Sequence, residues 1–116
     1  MDEIKQLRDE FVSCQELLTA LGDETRLYII IQMIQISSGK GLRVGEIAKQ
    51  AHLSRPAISH HLKILKDAKV LKVHKEGTKN YYYFDIDMKS FTKLIDTLEH
   101  AKQIASKAPK LYKNED

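Results

Sequence analysis

The sequence predicts a mainly α-helical fold carrying one β-hairpin, and three features of its 116 residues say so. Near both ends of the chain apolar residues recur at steps of three and four, the period of an amphipathic helix. Between Val70 and Phe84 the period changes to two around a glycine turn, the signature of two antiparallel strands. An apolar share of 42% beside a charged share of 30% is that of a chain with a buried core, and the length suits one domain. The expected order is α-α-β-α-α-β-β-α.

Ile4, Leu7, Phe11, Cys14, Leu18 and Leu21 step without a break, which places them on one stripe of a first helix with acids on its other faces. Gly22 ends that helix and Asp23 is the expected N-cap of the next. Leu27-Tyr28-Ile29-Ile30-Ile31, followed by Met33, Ile34 and Ile36, is apolar nearly all round, and its length predicts a buried central helix rather than a strand. Residues 37–41 read as a loop and Leu42-Arg43-Val44 as a short extended segment. Ile47, Ala48 and Ala51 mark a two-turn helix. Ser54 caps a further helix that tolerates Pro56 in its first turn and has Ile58, Leu62 and Leu65 on its inner face.

Leu71 and Val73 then alternate with Lys72 and His74, Glu76-Gly77-Thr78-Lys79-Asn80 turns the chain, and Tyr81-Tyr82-Tyr83-Phe84 returns. Strand alternation puts Tyr82 opposite Tyr81 and Tyr83, so at least one of the three belongs to the core. Asp85 or Asp87 caps a last helix in which Phe91, Leu94, Leu98, Ala101, Ala105 and Ala108 keep step. Pro109 ends it, and residues 110–116 are expected to fray.

Several classes of function are excluded. The single cysteine, Cys14, cannot close an internal disulfide or a thiol-only metal cage. The longest apolar run is far short of the roughly 20 residues that cross a bilayer. The acidic start Met1-Asp2-Glu3 lacks the layout of a signal peptide, so a cytoplasmic protein without membrane attachment is expected. No nucleophile–base pair, glycine-rich phosphate loop or zinc-hydrolase spacing is present, so neither enzyme nor cofactor is expected.

The formal charge of +3 is unevenly spread. Residues 1–22 are acidic, whereas residues 54–83 set Arg55 and six lysines against Asp67 and Glu76, and add His60, His61 and His74. Such a stretch attracts polyanions through counterion release. A solvated lysine face would look the same on charge alone, so the underlying elements must decide.

Those elements are two short helices joined by a tight turn and followed by a basic hairpin, the layout of a winged helix-turn-helix. On the helix after Ser54, the residues Ser54, Arg55, Ala57, Ser59, His60 and Lys63 are candidates for the DNA-facing side. Small residues admit close approach, Ser and His bond to phosphates or base edges, and Arg can pair with guanine. Lys66 and Lys69, further along, suit phosphate. On the wing, His74, Lys75, Lys79 and Asn80 flank a turn that reaches an adjacent minor groove or backbone. The competing reading keeps the fold but makes it an adaptor whose same face docks a protein.

Leu21-Gly22-Asp23-Glu24-Thr25-Arg26-Leu27 resembles the "LGDxTRL" opening of the ArsR/SmtB family of bacterial winged-helix repressors. Residues 54–66, SRPAISHHLKILK, resemble that family's "SQPxVSxHLKxLK" recognition helix, and Gly77 with its following tyrosines resembles the wing. The resemblance covers roughly residues 10–105. It implies a homodimeric repressor of its own operon, bound to a two-fold double-stranded operator and released by an effector, often a metal ion. It also implies dimerisation through the first and last helices. The stripes Ile4, Leu7, Phe11, Cys14 and Phe91, Leu94, Leu98, Ala101, Ala105 agree, because one small domain cannot bury both entirely inside itself. Residues 1–22 and 87–108 are then dimerisation helices, 23–86 the DNA-binding core and wing, and 109–116 a tail.

The chain departs from the family's metal sites. Where one site has Cys-x-Cys, this chain has Arg43 and Gly45; for the other, the best register is Asp87, Lys89, His100 and Gln103, half a site with an ammonium inside it. Metal sensing by either route is not expected, and the effector is left unidentified. His100 is either half of a site between subunits or a structural residue. Lys69 stands where the family often has glycine after the recognition helix, a left-handed cap that costs a non-glycine residue about 1 kcal/mol, and His52 lies in the turn between the two short helices, where glycine is common in related motifs. Cys14 is a redox sensor or, the favoured reading, a small buried hydrophobe. His61 is expected to face inward or sideways.

Overall fold

The computed structural model describes residues 2–36 and 39–112. Met1, Ser37 and Ser38 of the expected loop, and the last four residues of the expected tail lie outside the described residues. The first helix, α1, spans Glu3–Ser13 and starts where the Asp2 carboxylate accepts the Ile4 and Lys5 amides at 3.0 and 3.3 Å. The helix expected to run on to Leu21 instead breaks at Cys14. The Ser13 hydroxyl donates to the Glu10 carbonyl at 2.6 Å, a back-bond that bends helices, and Cys14 takes φ −117°, ψ 16°. The second helix, α2, covers Gln15–Leu21 and turns Cys14, Leu17 and Ala20 into the core.

Gly22 closes α2 with φ −85°, so no left-handed glycine cap is involved. Arg26 closes it instead: Nε donates to the Ala20 carbonyl at 2.7 Å and Nη2 to that of Thr19 at 3.2 Å. Asp23 caps α3 (Glu24–Gln35), accepting the Arg26 amide at 3.0 Å. The all-round burial expected of α3 is corrected. Ile29, Ile30 and Met33 are buried, but Leu27, Ile31 and Ile34 are 44, 54 and 55% exposed on the opposite stripe, because neighbours pack against one side of the helix only.

The extended segment shrinks to one residue. Leu42 and Tyr82 exchange two 2.8 Å backbone bonds as an isolated antiparallel bridge, and Val44 already belongs to α4 (Val44–Ala51). The Arg43 amide opening α4 donates to Glu46 Oε1 at 2.9 Å. Gly41 has φ +88°, and a Cβ there would run into the Tyr82 carbonyl, so only glycine lets the loop lie this close to the strand. α5 (Arg55–Asp67) starts at Ser54, whose hydroxyl accepts the Ala57 amide at 3.3 Å. His52 and Lys69, at the two glycine-like positions, do adopt left-handed φ values of 55° and 65°.

β1 (Leu71–Glu76) and β2 (Lys79–Phe84) pair antiparallel from Leu71↔Phe84 to Glu76↔Lys79. The turn is therefore Gly77-Thr78 alone, tighter than expected, with Gly77 at φ 61°. Tyr82 packs on the core and Tyr83 is exposed. Asp87, not Asp85, caps α6 (Met88–Lys107), accepting from the Ser90 amide and hydroxyl at 3.0 and 2.6 Å.

Ile29, Ile47, Ile58, Leu62, Leu65, Val70 and Leu71 form the centre of the core. Cys14 and Leu94, expected on the dimer face, are 5 and 4% exposed inside this chain's own core, because the bend after Ser13 and the first turns of α6 lie against it. The rest of the two stripes is open: α1 buries no residue, and Ile4 and Leu98 are 61 and 45% exposed. Phe11, Leu7, Phe91 and Ala101 are half-buried and Ala105 is exposed. The radius of gyration is 18.0 Å, against about 13 Å for a compact chain of this length, so α1 and the far half of α6 project from the body as a paired arm.

Candidate nucleic-acid interface

The polar side of α5 is presented because its other side is anchored. Ile58, Leu62 and Leu65 are fully buried, each stabilising the helix's seat by about 1.5–3 kcal/mol. Opposite them Ser54, Arg55, Ser59, His60 and Lys63 are exposed and Ala57 is half-buried. Lys63 bonds Asp67 one turn on at 2.7 Å, which raises its pKa above the ordinary lysine value and leaves an exposed pair that a phosphate can replace.

His61 does turn inward. Its Nδ1 lies 3.2 Å from Arg26 Nη1, and since a guanidinium only donates, Nδ1 accepts in that contact. One arginine thus closes α2, sits beside Asp23 at the start of α3 and holds α5. Asp23 is kept below the usual carboxylate range, chiefly by the Arg26 backbone amide. Sequence reasoning misses this role of Arg26, although the residue belongs to the Leu21–Leu27 motif.

Arg55 folds across the start of α4. A Cβ built on Gly45 would meet Arg55 Nη2 at 2.8 Å and Cζ at 3.1 Å. Beside this contact lies a cleft of about 710 Å³ between α4, the start of α5 and the hairpin turn, lined by Arg43, Lys49, Arg55, Thr78, Asn80 and Tyr81 among others. The guanidinium of Arg43 stands 5.9 Å over the Tyr81 ring. Arg43 and Lys49 lie outside the basic stretch of the sequence, so the charge count does not find them; packing brings them beside Arg55.

The wing candidates separate. Asn80 joins the Arg55 cleft, and its strand partner Lys75 lines, with Asn80, a groove of about 610 Å³ that also holds Lys66, Lys69 and Lys72. In that groove Lys72 bonds Asp85 at 2.7 Å, which raises the lysine's pKa. His74 lies in the pair with Tyr81, its Nε2 3.6 Å from Glu76, and lines a different cavity. Lys79 is exposed beside the turn.

At the positions matched to the family's metal sites the residues have other partners. Arg43 and Gly45 build the cleft. Asp87 caps α6, its pKa lowered first by the Ser90 hydroxyl, and lies about 20 Å along the helix from His100. His100 is bracketed by Glu10 at 2.6 Å from Nδ1 and Glu3 at 3.3 Å from Nε2. Among the described residues no group of three or more His, Cys, Asp or Glu side chains is placed to hold a metal. No described helix is long and apolar enough to cross a membrane.

With this geometry in view, comparison with known proteins is specific. The family described as bacterial regulatory protein, arsR family, matches residues 23–73. An HTH-type transcriptional regulator of Methanocaldococcus jannaschii is 38% identical over 91 residues, covering 78% of this chain and 99% of that protein. The transcriptional repressor SdpR of Bacillus subtilis is 40% identical over 63 residues, 54% of this chain and 66% of SdpR. A crystal structure of an ArsR-family transcriptional regulator superposes with a TM-score of 0.64 at 22% identity, over 82% of this chain and 92% of that one. The homodimeric winged helix-turn-helix DNA-binding domain of a Mycobacterium bovis protein superposes at 0.57 and 20% identity, over 95% of each chain.

Proposed function

Because this chain belongs to the arsR family of bacterial regulatory proteins and carries its DNA-binding winged helix, we propose that it is a homodimeric transcriptional repressor of its own operon. The observation that carries the reading is the union of the open polar face of α5 with the cleft of Arg43, Lys49, Arg55 and Asn80. Ser54, Arg55, Ala57, Ser59 and His60 read base edges in a major groove, while Lys63, Arg43 and Lys49 take phosphates. Lys75, Lys79 and Asn80 extend the contact from the wing, and His74 stands at its flank.

The arm of α1 and α6 supports the dimer: Ile4, Leu7, Phe11, Phe91, Leu98, Ala101 and Ala105 make the face that a second copy covers, with Cys14 and Leu94 behind it. Residues 1–22 and 87–108 then serve assembly, and residues 23–86 serve DNA. Two-fold symmetry makes the operator palindromic, with half-sites about one helical turn or a multiple apart. Repression is supported by the likeness to SdpR, which is named a repressor. The protein works in the cytoplasm, where its operator is, and an effector other than a metal at the family's usual positions releases it.

Fluorescence anisotropy on the chain's own upstream DNA, against a scrambled duplex and over a salt series, tests the reading. A preference of at least about a thousandfold for one duplex, falling steeply with salt, is expected. Equal micromolar affinity for every duplex, with capture of a protein through α5, would establish the adaptor instead.

A further inference from the structure

The end of α3, residues 39–42 and the hairpin line a cavity of about 700 Å³, within the size range of small-molecule sites and separate from the DNA-facing cleft. One wall is apolar: Met33, Ile34 and Ile36 face it from α3 and its end, and Phe84 closes it. This explains why Ile34, 55% exposed, is an isoleucine, since it lines a hollow. The rim is polar. Lys40 Nζ lies 3.3 Å from one Glu76 oxygen and His74 Nε2 lies 3.6 Å from the other, so a single carboxylate is clasped by two nitrogen groups. Lys40 also stands 5.7 Å over the Tyr81 ring, so it is the rim's lysine, free to turn from Glu76 to an incoming anion, while Arg43, 5.9 Å over the same ring, lines the neighbouring cleft.

We propose that this cavity binds a small organic anion, with an apolar or aromatic body against the α3 wall and its charged head on Lys40 and His74 in place of Glu76. The inference rests on the repressor reading and supplies its effector. Glu76 is exposed and can swing into water when the anion arrives. The cavity is tied to the DNA side by the backbone. Gly41 presses on the Tyr82 carbonyl, and Leu42 is locked to Tyr82 by two 2.8 Å bonds. The next residues on either strand, Arg43 and Tyr81, are stacked together and line the DNA cleft. A ligand that takes Lys40 from Glu76 thus acts on the loop that also carries Arg43. Binding of anion and DNA then oppose one another by the same factor in both directions.

Naphthalene-1-sulfonate is the probe, with 1-naphthylmethylammonium as its cationic counterpart. Amide shifts of the DNA-free protein should cluster on residues 39–42, 74–76 and 82–84, with the sulfonate bound at least about tenfold more tightly than the ammonium. Lys40→Gln should weaken the sulfonate by about tenfold. Saturating sulfonate should lower upstream-DNA affinity by about fivefold or more, within the usual range of such couplings. Ile34→Asp should bind DNA as the wild type does yet lose the sulfonate's effect. Shifts that gather elsewhere, equal affinity for the two probes, or binding in the cavity that leaves DNA affinity unchanged would overturn the proposal. Failure to bind any duplex would instead strike the repressor reading, because the shift experiment contains no DNA.

Discussion

Arg55 lies in the space that a side chain on Gly45 would fill, with Nη2 2.8 Å from the site of the missing Cβ. The first residue of the recognition helix thereby packs on the first turn of the helix before it, with its guanidinium beside the cleft. Gly45 is one of the two positions that the family resemblance matches to a Cys-x-Cys metal site, and in this chain the space beside it holds an arginine.

Gly45→Ala tests this packing. The added methyl displaces a flexible guanidinium, so the fold persists, and alanine in a helix is favoured over glycine by about 0.5–1 kcal/mol. The expected outcome is an unchanged or higher Tm with upstream-DNA affinity reduced by about three- to tenfold, measured by anisotropy.

Arg26→Ala removes the donor to the Ala20 and Thr19 carbonyls and to His61. Bonds from charged donors contribute about 1.5–3 kcal/mol each at most and are not additive. Urea unfolding should show a loss of about 2–3 kcal/mol. Arg26→Lys should not restore it, since a single ammonium cannot reproduce the fork.

Arg43→Ala and Lys49→Ala should each weaken binding to all duplexes alike. Each should also flatten the dependence of log affinity on log salt by about one. Arg55→Ala should do more, relaxing the preference at one base pair in each half-site.

His100 predicts a pH dependence. Both its nitrogens face carboxylates, so the protonated ring, with two donors, fits the site, and the Glu10 hydrogen bond, with help from Glu3, raises its pKa. The folded value lies above the unfolded one, so this contribution is fully present below about pH 6.5 and is lost as pH rises through the raised value. Hydrogen exchange along α1 should quicken across that interval relative to the core, and His100→Gln should abolish the change.

The recognition helix is legible in the sequence because its features are local: a serine cap, a proline in the first turn and an apolar face at steps of four and three. The same locality explains the misses. An uninterrupted stripe from Ile4 to Leu21 does not reveal that the Ser13 hydroxyl bends the chain, which moves Cys14 from the expected dimer face into the core. Continuous apolar character in α3 says nothing of how many sides have neighbours. Arg43 and Lys49 escape because they are remote in sequence from the basic stretch and join Arg55 only through packing. Lys69, by contrast, is readable as a left-handed position despite lacking glycine, because comparison with a family pattern marks the backbone as well as the side chain; His52 shares that conformation at a position marked only as commonly glycine.

The central claim is that two copies present α5 to one duplex. Sedimentation of the protein with its upstream duplex, followed by amide-shift mapping of the complex, tests it most directly. The account predicts two chains per duplex and shifts at Gly45, along residues 54–63 and at residues 78–80, with Leu98→Glu giving a single chain that binds far more weakly. A lone chain at working concentrations, or a complex in which α5 is undisturbed, would contradict it.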